Sequence, residues 1–389
     1  IALYGTVLGA LLGGIPSNLI GRKKTLFWVG ILYLVSALGS ALAADDTVFM
    51  IFRFIGGLGV GASSVAAPMY ISEIAPARSR GTLVALFQFN IVFGIVMAYI
   101  SNYLLNDIGP EAWRWMLGVE AIPAFIYSIL VLFVPRSPRW LIVRKEDHET
   151  AREILEKLDP ENVDKSLTAI INSHQAARPK ARASLFIKRY RFPVLLAITF
   201  AFFNQMAGIN AIIYYAPRIF SMTGLEEGSA LLSTTGIGIT NLIFTMLGIV
   251  LIDRSGRKRL MLIGSIGLII MLGLVSSAFY MEQFAGVPIF LFTYIAFFAM
   301  SQGAVIWVFI SEIFPNEVRA QGQSLGSFVH WFMAAIITNV FPRMAEILGG
   351  GPIFLFFTVM MVLQLIFVIS VMPETKGQSL EDLEKQLLA

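Results

Sequence analysis

Eleven apolar runs of bilayer length leave this chain little choice of fold. They fall at about 1–18, 25–44, 47–72, 83–105, 113–134, 192–220, 229–252, 260–281, 287–312, 322–345 and 352–372. About 20 helical residues at 1.5 Å each cross roughly 30 Å of hydrocarbon. A backbone in lipid must bond to itself, so runs of this length are helices. The loops between them alternate in character. One set is basic: GRKK (21–24), PARSRG (76–81), the long segment 135–191, DRSGRKR (253–259), PNEVRAQG (315–322) and the tail from Pro373. The other set is short and neutral or acidic: Asp45-Asp46, Asn106 to Glu111, Glu226-Glu227, Glu282 and Glu346. Lysine and arginine are retained on the cytoplasmic side. The pattern predicts a multi-pass protein of the cell's inner (plasma) membrane with the GRK loops and C-terminus cytoplasmic.

Composition narrows the chemistry. Of 389 residues, 57% are hydrophobic and only 14% charged, against about 25% charged in soluble domains. The net charge of +4 is concentrated in the loops, which explains it by orientation and argues against nucleic-acid binding. Cysteine is absent, which removes disulfides, thiolate catalysis and cysteine-ligated metal together. His148, His174 and His330 lie far apart, and no HExxH-type ligand pair exists. The sequence carries no catalytic constellation, metal site or cofactor motif.

An internal repeat sets the architecture. IGRKKTL (20–26) answers to SGRKRLM (255–261), SEIAPARSRG (72–81) to SEIFPNEVRAQG (311–322), and PRSPRW (135–140) to PETKGQ (373–378). Two helical halves follow one another in the same orientation, related by an axis along the membrane normal. The division is 1–134 for an N-terminal bundle, 135–191 for a linker with short helices, 192–372 for a C-terminal bundle and 373–389 for a terminal helix. The second half has two helices before Asp253, whereas the first has one before Gly21. Ile1 is not a start methionine and sits inside an apolar run. The expectation is that a further helix precedes residue 1, completing a 6+6 arrangement. Within the linker, Ala151, Ile154, Leu155 and Leu158 share one helix face, and a second short helix is expected near 163–177.

One run departs from plain hydrophobicity. FFNQMAGINAIIYYAPRIF (202–220) places Asn204, Gln205 and Asn210 around Gly208, followed by Tyr214, Tyr215 and Pro217. Amides at membrane depth cost free energy unless something bonds to them. Glycine and proline weaken the helix ladder, which is tolerable there only beside protein or a cavity. The stretch reads as a discontinuous helix lining a polar cavity. The competing reading is polar glue between neighbouring helices.

Together these motifs resemble the sugar porter family of the major facilitator superfamily. The resemblance is carried by the two GRK loops, RFIGGLGVG (53–61), PMYISEIAPARSRG, PRSPRW, QMAGINAIIYYAP, SEIFP and PETKG, in family order along the whole chain. Bacterial proton-coupled xylose symporters are similar in look. The chain departs from the pattern at Asn18, Arg136, Asn204, Ala304 of GAVIW and His330.

The resemblance implies an all-α major facilitator fold, alternating access, and a monosaccharide and a proton as cargo. By match to family positions, the substrate-binding set is Gln88, Asn204, Gln205, Asn210, Tyr214, Tyr215, Asn241, Trp307, His330 and Trp331. The chemistry agrees: an amide offers an acceptor and two donors without charge to a sugar hydroxyl, and aromatic faces cover the sugar ring. Tyr214 and Tyr215 point about 100° apart on a helix, so one of them is available for packing or a gate. Arg53 and Glu120 lie at similar depth, roughly 10–13 Å below the outer surface by helix rise; the resemblance implies an acid with a part in proton coupling at Glu120, and an Asp on the first helix, expected ahead of residue 1, as the main proton carrier beside Arg53. It also makes Arg22, Glu73, Arg80, Asp253, Arg257, Glu312 and Arg319 a cytoplasmic ion-pair latch. A facilitative uniporter of the same fold, or a non-transporting sugar receptor, is the alternative; a drug/proton antiporter would want fewer amides. The remaining partner is membrane lipid, and the chain is expected to be monomeric.

Overall fold

The computed structural model describes residues 1–75, 80–177, 185–221, 227–314, 318–376 and 387. Among them are eleven helices long and apolar enough to cross a membrane. In chain order these are α1 (Ala2–Leu19), α2 (Arg22–Ala41), α3 (Asp46–Ile71), α4 (Leu86–Ile108) and α5 (Ala112–Phe133). Two non-spanning helices follow, α6 (His148–Leu158) and α7 (Val163–Ala177). The chain then continues through α8 (Lys188–Ser221), α9 (Ser233–Ile252), α10 (Arg257–Tyr280), α11 (Phe284–Ile310), α12 (Gln321–Leu348) and α13 (Gly350–Ser370). The number of spans is the one read from the apolar runs. The C-terminal helix expected over 373–389 lies outside the described residues apart from its start and Leu387.

Two compact units are distinguished. The first contains 1–87, 109–187 and 316–331; the second contains 88–108, 188–315 and 332–389. Most of α4 and the first third of α12 thus fall with the unit drawn mainly from the other half of the sequence.

In the first unit α1 lies directly on α3. A Cβ at Gly57 would stand 1.9 Å from the Ala2 carbonyl oxygen, and one at Gly9 would stand 2.3 Å from that of Leu58. Lipid offers no hydrophobic drive between helices, so such backbone-to-backbone approach supplies the contact instead. Asp45 starts α3 by accepting from the backbone N–H groups of Thr47 and Val48, both at 2.9 Å. Arg114 of α5 donates to the carbonyls of Ala41 and Ala43, closing the C-terminal end of α2. The apolar face of the linker helix packs within the linker itself. Ala151 and Leu155 of α6 are buried, and Ala151 joins Trp140, Leu141 and Ile142, with Leu167, Ile170 and Ile171 of α7 against them.

The second unit is built around a larger apolar core running from Met206 through Ile212, Phe220, Leu272, Leu291, Tyr294 and Phe354 to Met361. Its helices are also tied by hydrogen bonds. Ser276 of α10 donates to the Gly351 carbonyl of α13 at 2.8 Å, and Gln364 of α13 donates to Ser265 of α10 at 2.7 Å. The α8 break falls inside this core. A first helix ends at Met206 and a second begins at Ile209, as Gly208 led the sequence to suggest. Gly208 has φ +82°, and a Cβ there would meet the Phe357 ring at 2.6 Å, so both backbone and packing require glycine. The carbonyl of Ala207, freed by the break, accepts from the buried Tyr294 hydroxyl at 2.7 Å. A second irregularity, at Tyr215 (φ −114°, ψ 17°), precedes Pro217.

Candidate functional site

The break in α8 brings three predicted amides into one hydrogen-bonded row within the second unit. Asn210 donates Nδ2–H to Gln205 Oε1 at 2.6 Å, and Gln205 donates Nε2–H to Asn204 Oδ1 at 3.0 Å. Asn204 in turn donates Nδ2–H to the backbone carbonyl of Gln302 at 3.4 Å. That carbonyl belongs to a π-helical turn, Ala299–Gly303, within α11. Such turns depart from the regular helix ladder and are frequent at functional sites. Asn204 and Gln205 are buried, and Asn210 is only half-buried. The row therefore runs from the protein interior to an accessible end.

Other predicted residues of this unit separate by role. Trp307 of α11 donates its indole N–H to Gln88 Oε1 of α4 at 3.0 Å, so a fixed indole stands beside an amide that keeps its own N–H donors. Asn241 of α9 is buried and accepts from Thr245 one turn on, at 3.4 Å. The two tyrosines divide as the 100° separation allows. Tyr214 is 50% exposed. Tyr215 donates its hydroxyl to the Thr338 carbonyl at 3.0 Å and stacks on Phe341 at 5.4 Å, which fastens it to α12. Tyr99 of α4 donates to the Ile213 carbonyl at 2.7 Å, pinning the second part of α8 from another side.

The first unit holds the remaining members. Arg53 of α3 and Glu120 of α5 approach to 3.6 Å, in line with their matched depths in the sequence. His330 and Trp331 form an edge-to-face pair with ring centres 5.1 Å apart, and the Trp331 indole donates to Ser64 Oγ at 3.3 Å.

The two GRK loops end in the same geometry, each inside its own unit. Gly21 (φ 91°, ψ 155°) and Gly256 (φ 86°, ψ 160°) turn the chain into α2 and α10. Arg22 pairs with Glu73 at 2.9 Å and donates to the Ser17 carbonyl at 3.0 Å. Arg257 pairs with Glu312 at 2.8 Å and donates to the Ile252 carbonyl at 3.1 Å. Ser137 donates to Glu73 at 2.5 Å, as Thr375 does to Glu312 at 2.6 Å. Lys23 reaches the Leu132 carbonyl and Lys258 the Ile369 carbonyl. One difference stands out. Glu374 accepts from the N–H groups of Arg257 and Lys258 at 2.9 and 3.0 Å, whereas among the described residues no side chain accepts from the N–H groups of Arg22 and Lys23, and the matching sequence position is Arg136. The side chains of Arg80, Asp253 and Arg319 lie outside the described residues.

Several participants were not singled out from the sequence. Gln302 is an amide inside an apolar run, the same signal that marked Asn204, yet its backbone contribution has no sequence signature. Its Nε2 donates to the Met361 sulfur at 3.3 Å, and its buried Oε1 has no hydrogen-bond partner among the described residues. Ser137 and Thr375 stand inside motifs that were recognised, PRSPRW and PETKG, without being assigned a part.

Known proteins are similar to this chain in sequence and shape. The family profile described as Sugar (and other) transporter matches residues 1–387. The arabinose-proton symporter of Bacillus subtilis (strain 168) is 36% identical over 98% of this chain and 84% of its own length. The D-xylose-proton symporter of Escherichia coli (strain K12) is 35% identical over 98% of this chain and 84% of its own. A solved structure of the major facilitator superfamily proton:xylose symporter XylE, bound to 6-bromo-6-deoxy-D-glucose, superposes with a TM-score of 0.86. It is 33% identical and covers 99% of this chain and 87% of that one.

Proposed function

The chain belongs to the sugar transporter family, and from that premise we propose that it is a secondary active transporter importing a monosaccharide, pentose or hexose, by proton symport. The family and its relatives transport sugars, so the chain is a carrier and not an enzyme. The observation that carries the proposal is the amide row ending at Asn210. Neutral amides match neutral hydroxyls, each of which gives and takes a hydrogen bond. Gln88 and Trp307 add a fourth amide beside an aromatic face of the kind that covers a sugar's C–H surface. Relatives named for arabinose and xylose, and a xylose symporter holding a glucose derivative, support the sugar class at this coarser level.

Coupling rests on Arg53 and Glu120. A carboxylate 3.6 Å from a guanidinium holds it by charge. Protonation removes that charge and releases Arg53, which is how binding of a proton changes the balance between two conformations. In this reading sugar and proton load from the outer side, the molecule alternates, and both leave into the cytoplasm, where the basic loops are retained. The protein works as a monomer surrounded by lipid. The Arg–Glu pairs at the GRK ends serve as the latch of the outward-facing state.

The deciding experiment is transport in liposomes containing the purified protein. D-xylose, L-arabinose or D-glucose is expected to accumulate under an inward proton gradient, with external alkalinisation, and to lose accumulation with an uncoupler. Glu120→Gln is expected to abolish accumulation while leaving sugar exchange across the membrane within about threefold of the wild type. Accumulation of sugar that persists with an uncoupler rejects proton symport, and transport that only equilibrates sugar identifies a uniporter.

A further inference from the structure

The amide row has a direction, and its buried end sets it. A backbone carbonyl can only accept a hydrogen bond. Asn204 must therefore present its NH2 group to the Gln302 carbonyl, 3.4 Å away. Its own oxygen then faces Gln205, which must answer with its NH2 group at 3.0 Å. The oxygen of Gln205 is left to face Asn210, which again must answer with NH2, at 2.6 Å. Turning any one amide by 180° places oxygen against oxygen or NH2 against NH2 within a buried row, where unmade bonds are expensive. The consequence emerges at the accessible end. Asn210 Oδ1, which accepts from no described residue, is the acceptor left to meet a ligand, beside the one Nδ2–H that Gln205 does not take.

We infer that Asn204 is a positioning residue that fixes the polarity of the row from the π-turn carbonyl, so that Asn210 selects a sugar hydroxyl able to donate its proton. Asn204 thus acts through Gln205 and Asn210 and does not itself touch the sugar. This rests on the reading that Asn210 contacts sugar. It goes beyond that reading by assigning which partner gives the proton. A hydroxyl can satisfy an acceptor, whereas a C–F group at the same carbon cannot. Sites built to hydrogen-bond a substrate group reject analogues that lack it far more strongly than apolar pockets reject a change of size.

The test is equilibrium binding to the purified full chain, using D-xylose, D-glucose and each of their singly deoxyfluorinated analogues. In the wild type, fluorination at one carbon is expected to weaken binding by about 30-fold or more, and elsewhere by only a few-fold. In Asn204→Leu the row is free to reverse, and that selective loss is expected to shrink to a few-fold. Asn204→Ala serves if the leucine variant is unstable, and Asn204→Gln, which keeps an amide, is expected to restore the selectivity. If Asn204→Leu weakens the parent sugar and every analogue by one common factor, Asn204 is a packing residue and the inference is overturned. If Asn210→Ala weakens the parent sugar but no fluorination-sensitive carbon exists in the wild type, the polarity is wrong while the sugar contact stands. If Asn210→Ala binds the parent sugar as tightly as the wild type, or neither sugar binds at all, the underlying reading falls as well.

Discussion

Gln205→Ala is expected to lower sugar affinity by about 10- to 100-fold, the largest effect of any single truncation in the amide row. Gln205 is the middle member, fully buried, bonded on one side to Asn204 and on the other to Asn210. Truncation leaves Asn204 Oδ1 and Asn210 Nδ2 without those partners and frees Asn210 to turn. An unmade buried hydrogen bond costs about 1–3 kcal/mol, and 1.4 kcal/mol is tenfold in affinity. Calorimetric titration with D-xylose or D-glucose measures the change directly. Gln205→Glu keeps the length but replaces the NH2 donor by oxygen, and it is expected to bind no better than the alanine variant. Full affinity in either variant would mean that the row is polar glue between helices.

Glu312→Ala is expected to produce the largest loss of stability. Glu312 accepts two bonds from Arg257, at 2.8 and 3.3 Å, and one from Thr375 at 2.6 Å. Arg257 is only 8% exposed, so the truncation takes the paired carboxylate from a buried guanidinium that keeps its bond to the Ile252 carbonyl. Removing one partner of a buried pair costs about 3–5 kcal/mol. For a chain of this size that corresponds to a fall in melting temperature of roughly 4–6 °C, measurable by tryptophan fluorescence of the purified protein. Glu312→Gln still accepts hydrogen bonds and should lose about half as much. If the pair also acts as the latch, Glu312→Gln should raise the labelling of cysteines introduced on the cytoplasmic side of the cavity. The chain contains no cysteine of its own, so the labelling carries no background. A stability loss without a labelling change would assign the pair to structure alone.

The spans were legible because bilayer length and loop charge are properties of composition, which needs no tertiary knowledge. The break in α8 was legible because polar amides and a glycine interrupt an apolar run. Gly208 then adopts a positive φ that other residues rarely adopt. Arg53 and Glu120 could be matched by counting helix rise from the loops, and they meet. Other features depend on contacts between distant segments. The pairing of Gln88 with Trp307 joins residues 219 positions apart. The fastening of Tyr215 to the Thr338 carbonyl decides which tyrosine is left exposed, and the 100° rule alone could not choose between them. The π-turn at Ala299–Gly303 contains no proline, and its decisive group is a backbone carbonyl, which every residue has.

The twin GRK ends will not breathe alike. Glu374 places a carboxylate on the first N–H groups of α10, whereas the matching position in the sequence is Arg136. A cap is worth about 1 kcal/mol, and the sign of charge at a helix start adds about 0.3–1 kcal/mol. The amide protons of Arg22 and Lys23 therefore meet water more often than those of Arg257 and Lys258. Thermal fraying is expected to start at the first end, so a duplicated architecture with matching bond lengths acquires an order in time.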